Sequence, residues 1–272
     1  MRGPAVARRL VLAVYALLII VPLVVIVGGS FKTTQDLFAA PFGLPTRPTL
    51  DNYVTVLSRQ NLLRVLGNSV LVVAVSVPVT LLLGSLVAFA VARLPRWPSR
   101  ILYAVFAVGL AVPAQAVMIP QYVQFDRLGL RDSLLGLMLV NVVVTLPVAV
   151  FILAGFLKTL PAELYEAAEL DGAGPWAAYR RIAVPVSYPS LAATAIFLVV
   201  MHWNDLLYPL LFIDDPDKRT LPLALLDFQG EYLTEYPLLF TGVVVASLPM
   251  IVAYAFLQRH FVAGITAGAV KG

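Results

Sequence analysis

Two groups of polar side chains in this sequence have residue types that could do chemistry. The first is the run His202, Trp203, Asn204 and Asp205, which interrupts an otherwise apolar stretch. Sugars and other polar solutes are bound by stacking on aromatic rings and by hydrogen bonds to amides and carboxylates. The run therefore predicts contact with a polar solute. The alternative, which stays open here, is that Asn204 and Asp205 tie helices together, with His202 a packed, hydrogen-bonded side chain.

The second group is a set of three glutamates, Glu163, Glu166 and Glu169, which come just before Gly172. Residues three apart share one face of a helix, so the segment predicts a short acidic helix. Such a helix could present a surface that another protein approaches. It could equally be an ordinary solvated amphipathic loop.

Several kinds of chemistry are excluded by what the sequence lacks. It has no cysteine, which rules out disulfides, zinc–thiolate sites and cysteine nucleophiles. Its two histidines, His202 and His260, are too few for a histidine-rich metal site. No lysine follows a glycine, so the phosphate loop Gly-x4-Gly-Lys-Ser/Thr is absent and this chain is expected to bind no cofactor.

The composition is that of a membrane protein. Of the 272 residues, 60% are hydrophobic and 12% are charged, whereas a soluble domain has about 25% charged residues. The mean hydropathy is +0.90. The net charge of +4 is interpreted as membrane topology and not as nucleic-acid binding.

Apolar runs of about 20 residues are long enough to cross a bilayer, and in lipid they must be helical. The sequence therefore predicts an all-α integral membrane bundle, with one domain over 1–272. The first run could also be a signal peptide, but the five runs after it favour an uncleaved span. The predicted spans are 10–27, 70–92, 101–118, 134–157, 191–213 and 238–257.

Basic residues indicate the orientation, because loops on the cytoplasmic side carry more Lys and Arg. With the N-terminus inside, 11 of the 19 Lys and Arg residues fall in the inner segments and 8 in the outer ones. Both termini and the loop 158–188 are then cytoplasmic, and the loop 214–237 lies outside. Each run also contains a proline, which is either tolerated or marks a broken helix along a transport path.

The loop 158–188 is expected to form two helices around a glycine turn. Pro161 suits a first helical turn, and Gly172 can end that helix in a left-handed conformation. A second helix starts at Gly174 and is expected to end before Pro185. Ala167 and Ala168 would leave a smooth surface for a partner.

This loop resembles the signature of ABC importer permeases, which is Glu-Ala-Ala, three residues, Gly, nine residues and Ile-x-Leu-Pro. It appears here as Glu166-Ala167-Ala168, Gly172 and Ile182-Ala183-Val184-Pro185, with valine in place of leucine. Further segments are similar to the carbohydrate, or maltose-type, branch and its smaller six-span permease. They are Ser30-Phe31-Lys32-Thr33, Leu50-Asp51-Asn52-Tyr53, Asn68-Ser69, Trp203-Asn204-Asp205 and Gly268-Ala269-Val270-Lys271-Gly272.

The resemblance implies a non-catalytic subunit of a type I ABC importer in the bacterial inner membrane. Its partners would be a second homologous permease, two ATPase subunits that hold ATP and Mg, an extracytoplasmic binding protein or lipoprotein, and membrane lipid. The solute would move inward by alternating access. The residues implied to couple to the ATPase are Glu163, Glu166, Ala167, Ala168, Asp171, Gly172, Ile182 and Pro185.

Three further groups of residues are candidates for contact with the solute, the binding protein or the ATPase. Solute-path candidates are Trp203, Asn204, Asp205, Gln115 and Asn141, with Gln121 weaker. The acidic outer loop 214–237 is either solvated or meets the binding protein, through Asp214, Asp215, Phe228, Glu231 and Tyr232. In the family the C-terminal tail lies near the ATPase, which makes Lys271 and Gly272 further candidates.

Two alternatives belong to other classes. An ion-driven secondary transporter would need paired titratable groups within the spans, and only Asp205 and His202 qualify. An intramembrane enzyme would need a nucleophile with its base or a set of metal ligands, and no His-Glu-x-x-His occurs. Neither alternative explains the 166–185 pattern.

Overall fold

The computed structural model describes residues 3–59, 61–228 and 235–269, with side chains over 8–58, 61–228 and 235–255. Every regular element in these ranges is helical, which confirms the predicted all-α class. The α-helices are α1 (Gly3–Ser30), α2 (Thr34–Ala39), α3 (Asp51–Arg59), α4 (Leu62–Arg93), α5 (Arg96–Ala111), α6 (Ala114–Arg127), α7 (Leu134–Leu157), α8 (Glu163–Leu170), α9 (Pro175–Ala178), α10 (Val184–Val186), α11 (Tyr188–Trp203), α12 (Leu207–Phe212), α13 (Leu221–Leu225) and α14 (Tyr236–Ala269).

Two of the predicted spans are broken. By length and composition, four described helices could cross a membrane. The count reaches six if each of two bent pairs is one span, and these pairs are α5 with α6 and Pro175–Val186 with α11. The predicted run 101–118 is divided at Pro113, where α5 and α6 meet at 99°. The predicted continuous helix 191–213 ends at Trp203, and α12 begins only at Leu207. By contrast Pro22, Pro78, Pro147 and Pro249 lie inside continuous helices.

The chain packs as two compact units, Met1–Leu66 with Leu221–Ile251 and Gly67–Thr220 with Val252–Gly272. In the first unit, two of the family-like segments meet. The Asn52 side-chain amide donates to the carbonyls of Ser30 and Lys32, both at 2.8 Å. Lys32 is buried, and its ammonium donates to the carbonyls of Ala40 and Gly43. These bonds fix the chain that follows α1.

In the second unit, α5 and α11 pack against α7, and α4 approaches α7 closely. The close approach is at Gly84, where an added Cβ would lie 2.9 Å from the Cβ of Ala149. Leu198 on α11 and Val77 on α4 pack around Ala149 as a small buried cluster. A glycine facing an alanine therefore sets the spacing between α4 and α7.

Asp132 joins the two loops that follow α6 and α12. Its carboxylate accepts from the backbone N–H groups of Asp214 and Asp215 at 3.1 and 3.0 Å, and from the ammonium of Lys218 at 3.0 Å. These donors, the Asp215 N–H first among them, hold the pKa of Asp132 below its usual value. Asp132 has a φ of 48°, a conformation that Asp and Asn adopt more readily than most residues.

Candidate functional site

The glycine-turn loop, residues 158–188, begins with α8 and its terminator. Gly172 has a φ of 80°, as predicted from its position. The Ala173 N–H donates to the Ala168 carbonyl at 2.9 Å, and the Gly172 N–H donates to the Glu169 carbonyl at 3.0 Å. This pair of bonds is a Schellman motif, which satisfies carbonyls at a helix end and requires a left-handed residue. The turn is therefore held by backbone geometry that glycine favours.

The second half of the loop corrects one prediction, because the helix does not end before Pro185. A π-turn, Tyr179–Ala183, follows α9 and leads directly into α10, which contains Pro185. The Val184 N–H donates to the Tyr179 carbonyl, five residues back. The wider turn continues the helical path across a residue that has no N–H to donate, which an α-helical pattern would not predict.

Two tyrosines anchor the loop to the bundle. Tyr165 on α8 and Tyr179 in the π-turn are both buried in a cluster with residues of α4 and α7. The Ser85 hydroxyl donates to the Leu82 carbonyl, so the Tyr179 hydroxyl, 2.7 Å away, donates to Ser85. The cluster makes the loop part of the bundle packing instead of a free segment.

The predicted coupling residues divide between the two sides of the loop. Ala168 is buried, so it does not contribute to the smooth outer surface that was predicted for the two alanines. Ile182 is half-buried against the tyrosine cluster. The remaining candidates are exposed: Glu163, Glu166, Ala167, Asp171, Gly172 and Pro185.

A second feature of the same unit is a polar cavity of about 170 Å³ beside the end of α11. It brings together Gln115, Asn141 and Asp205, three of the five predicted solute-path residues. Trp203 is buried outside the lining, and Asn204 is exposed, with its amide donating to the Val200 carbonyl at 2.8 Å. The lining residues are Ala114, Gln115, Met118, Asn141, Val144, Thr145, Met201, His202, Asp205, Leu207 and Tyr208.

The two carboxylate oxygens of Asp205 have different surroundings. Its Oδ1 accepts from the Tyr208 N–H at 3.3 Å, so it caps the start of α12. Its Oδ2 is buried and has no hydrogen-bond partner among the described residues. The Tyr208 hydroxyl donates to Gln121 at 2.8 Å, which ties α12 to α6. The helix break after Trp203 thus places a carboxylate at the cavity wall.

His202 joins three helices. Its Nδ1 lies 2.7 Å from the Ser76 hydroxyl on α4, and its Nε2 lies 3.0 Å from the Thr145 hydroxyl on α7. Each hydroxyl is also within bonding distance of the carbonyl four residues before it. A neutral imidazole donates at one nitrogen and accepts at the other, so one hydroxyl donates to the ring. The predicted packed, hydrogen-bonded side chain is confirmed.

The candidates for binding-protein contact are only partly on the surface. Asp214 is exposed and pairs with Arg131. Asp215 is half-exposed and lies 3.3 Å from the Lys218 ammonium. Phe228 is buried within the chain, and its contact with the binding protein stays a prediction. Glu231, Tyr232, Lys271 and Gly272 lie outside the described residues.

Several residues of both sites were missed by sequence reasoning. Arg93 was used only as a topology signal, yet it contacts α8. Ser76, Thr145 and Tyr208 are hydroxyl residues within apolar runs, and nothing in their spacing points to one cavity. Tyr165 and Tyr179 lie inside the recognised loop pattern, where aromatic residues in a polar loop could have indicated anchors.

The helices define a multi-pass helical membrane protein, and its glycine-turn loop carries the Glu-Ala-Ala pattern. The chain belongs to the family of binding-protein-dependent transport system inner membrane components, whose model matches residues 80–267.

Among its relatives is a putative ABC transporter permease protein of Caldicellulosiruptor sp., 36% identical over 96% of this chain and 95% of that protein. A multiple sugar-binding transport system permease protein of Streptococcus mutans is 35% identical, over 97% and 96%. A diacetylchitobiose uptake system permease protein of Streptomyces coelicolor is 32% identical, over 99% and 90%. The predicted resemblance to permeases of carbohydrate importers is confirmed.

The fold also matches a solved structure. A chain of a bacterial ABC transporter involved in the import of the acidic polysaccharide alginate superposes with a TM-score of 0.82. The two chains are 18% identical, and the match covers 96% of this chain and 97% of the other.

Proposed function

We propose that this chain is the permease subunit of an ATP-driven importer, and that it moves a sugar or sugar-like solute inward by alternating access. The glycine-turn loop would lie on the cytoplasmic side and couple the permease to a separate ATPase, which would hold ATP and Mg. A second permease and an extracytoplasmic binding protein would complete the complex. The named solutes of the relatives support a carbohydrate substrate.

The observation that carries this proposal is the two-sided construction of the glycine-turn loop. Tyr165 and Tyr179 bind one side of the loop to the bundle. The opposite side of α8 presents Glu166, Ala167 and Leu170, of which Leu170 is 90% exposed. A helix that is anchored on one side, with an exposed carboxylate and an exposed apolar side chain on the other, suits a partner protein that binds and displaces it.

The test of coupling is charge reversal at Glu166. We expect Glu166→Lys to lower ATP hydrolysis stimulated by the binding protein by about tenfold or more in the reconstituted transporter, because it replaces attraction to a basic partner residue by repulsion. Asp51→Lys makes the same charge change at an exposed position of α3 and is the control. Unchanged stimulation in Glu166→Lys, with normal complex assembly, would exclude coupling through α8.

The polar cavity is the proposed point of solute contact on this chain. Its lining residues include two amides, hydroxyls and the carboxylate of Asp205, which are the kinds of group that bind sugar hydroxyls. Its volume of about 170 Å³ is small, so it would hold one end or one ring of an extended solute.

Asp205 gives the test of the cavity. We expect Asp205→Asn to lower solute uptake about tenfold, because a hydrogen bond to a charged group contributes about 1.5–3 kcal/mol. The substitution keeps an oxygen that can cap α12, so the backbone should stay intact. Asp126→Asn removes an exposed ion pair with Arg131 and should change uptake less than about twofold. Equal uptake in the two variants, measured with radiolabelled solute in proteoliposomes, would remove Asp205 from the solute path.

A further inference from the structure

Arg93 is the last residue of α4, and its guanidinium makes two contacts with α8. It lies 4.5 Å from the centre of the Tyr165 ring, and it forms an ion pair with Glu169 at 2.7 Å. Tyr165 and Glu169 are four residues apart, so they lie on the same face of α8. One side chain therefore holds two successive turns of that helix.

The remaining attachment of α8 to the bundle is narrow. Only Tyr165 and Ala168 of α8 are buried. The Arg93–Glu169 pair borders a cavity of about 550 Å³, which is also lined by Phe89 of α4, by Leu94 just after α4, and by Ala173 and Pro175 beyond the turn. Because this space is not filled by packing, the contacts between α8 and α4 are mainly those of Arg93 and of Tyr165, which also packs against Phe89.

Burial strengthens the contact between the Arg93 guanidinium and the Tyr165 ring. Desolvation raises the pKa of the Tyr165 phenol, and the nearby Arg93 opposes part of that rise. The effect of Arg93 on the phenol agrees with the short distance between the guanidinium and the ring. A guanidinium stacks on an aromatic face more effectively than an ammonium does.

The middle of α4 contacts a residue in the wall of the polar cavity. Ser76 is 17 residues before Arg93, about 25 Å along a helix, and its hydroxyl contacts His202 in the cavity wall. We infer that Arg93 is a positioning residue that clamps α8 to α4, so that α4 carries the displacement of α8 to the solute cavity. This inference rests on the proposed coupling to an ATPase, and it adds the element through which coupling passes.

The clamp, defined as Arg93, Tyr165 and Glu169, can be tested on the chain itself. The sequence has no cysteine, so spin labels can be placed at Leu164→Cys on α8 and Val79→Cys on α4, both exposed and neither among the proposed coupling residues. We expect Arg93→Ala to broaden the distance distribution between the labels in the purified complex. Arg96→Ala, which removes an exposed arginine three residues later, should leave it unchanged. An unbroadened distribution in Arg93→Ala overturns the inference.

The same variants separate positioning from general stability. Arg93→Ala should lower the ratio of stimulated to basal ATP hydrolysis about fivefold, with unchanged complex yield. Arg93→Lys should lower it less, and Arg93→Glu combined with Glu169→Arg should recover part of it by restoring the ion pair. No recovery in the double variant would contradict the clamp.

Failure of the clamp and failure of the proposed function give different results. If Glu166→Lys lowers stimulated hydrolysis but Arg93→Ala does not, coupling through α8 stands and the role of α4 is wrong. If neither variant lowers it, coupling through α8 itself is wrong, and the clamp has no function to serve.

Discussion

Replacing Gly172 with proline should reduce solute-stimulated ATP hydrolysis and uptake by about a hundredfold. Proline fixes φ near −65° and has no N–H, whereas Gly172 has a φ of 80° and donates to the Glu169 carbonyl. Proline is therefore incompatible with both the left-handed φ and the hydrogen bond of Gly172. The substitution should destabilise the turn by about 3 kcal/mol or more. Tyr165 lies before this turn and Tyr179 lies shortly after it. Without the turn, the loop could not keep both tyrosines buried and also hold α8 in position for a partner.

A graded series at Gly172 distinguishes backbone conformation from bulk. Nothing lies within 4 Å of a Cβ added at Gly172, so side-chain size by itself is tolerated. Asn adopts a left-handed conformation readily and should retain most activity, Ala should lose about tenfold, and Val should lose more. Gly174→Ala is the matched control, because Gly174 also has open space around it but an ordinary φ of −70°. Equal activity of the Asn and Val variants would show that the left-handed turn is not required.

Replacing Gly84 with leucine should prevent assembly of a stable bundle. The nearest atoms to an added Cβ are the Cβ, the carbonyl carbon and the next backbone nitrogen of Ala149 and Val150, at 2.9 to 3.6 Å. Backbone atoms of a packed helix cannot move aside as a flexible side chain does, so α4 and α7 would separate. Overpacking of this kind costs about 3 kcal/mol or more, and the α4–α7 contact also supports both His202 and the tyrosine cluster.

Thermal unfolding and size-exclusion chromatography of the detergent-solubilised chain would measure this effect. The control is Gly155→Leu on α7, where an added Cβ meets nothing within 4 Å and the residue is exposed. Both variants replace a glycine inside a helix by the same apolar side chain, so helix propensity favours each of them equally. Similar unfolding temperatures for the two variants would mean that Gly84 does not set the α4–α7 distance.

The glycine-turn loop was predicted well because its determinants are local. The first helix, the turn at Gly172 and the second helix starting at Gly174 all depend on propensities and capping within a few residues. The prediction was wrong at Pro185, where a π-turn continues the helix. It was also wrong for Ala168, which was expected on the outer surface and is buried. Which face of a helix is buried depends on the elements that the helix packs against.

The polar cavity was predicted only in part. Gln115, Asn141 and Asp205 were chosen as polar residues in apolar runs, and the structure places them around one space. Trp203 and Asn204 were chosen because an aromatic ring and an amide suit a sugar, but consecutive residues at a helix end point in different directions. The break after Trp203 decided which of the three faces the cavity.

By itself, the sequence determined the class of this protein. Apolar runs of bilayer length, the scarcity of charge and the Glu-Ala-Ala pattern are properties of composition and local spacing, so they can be read without coordinates. Only the tertiary structure decided which distant residues act together: Arg93 with Tyr165 and Glu169, and His202 with Ser76 and Thr145. Those contacts depend on how α4, α7 and α11 pack side by side. That arrangement arises from close packing between helices far apart in the chain, which no local pattern encodes.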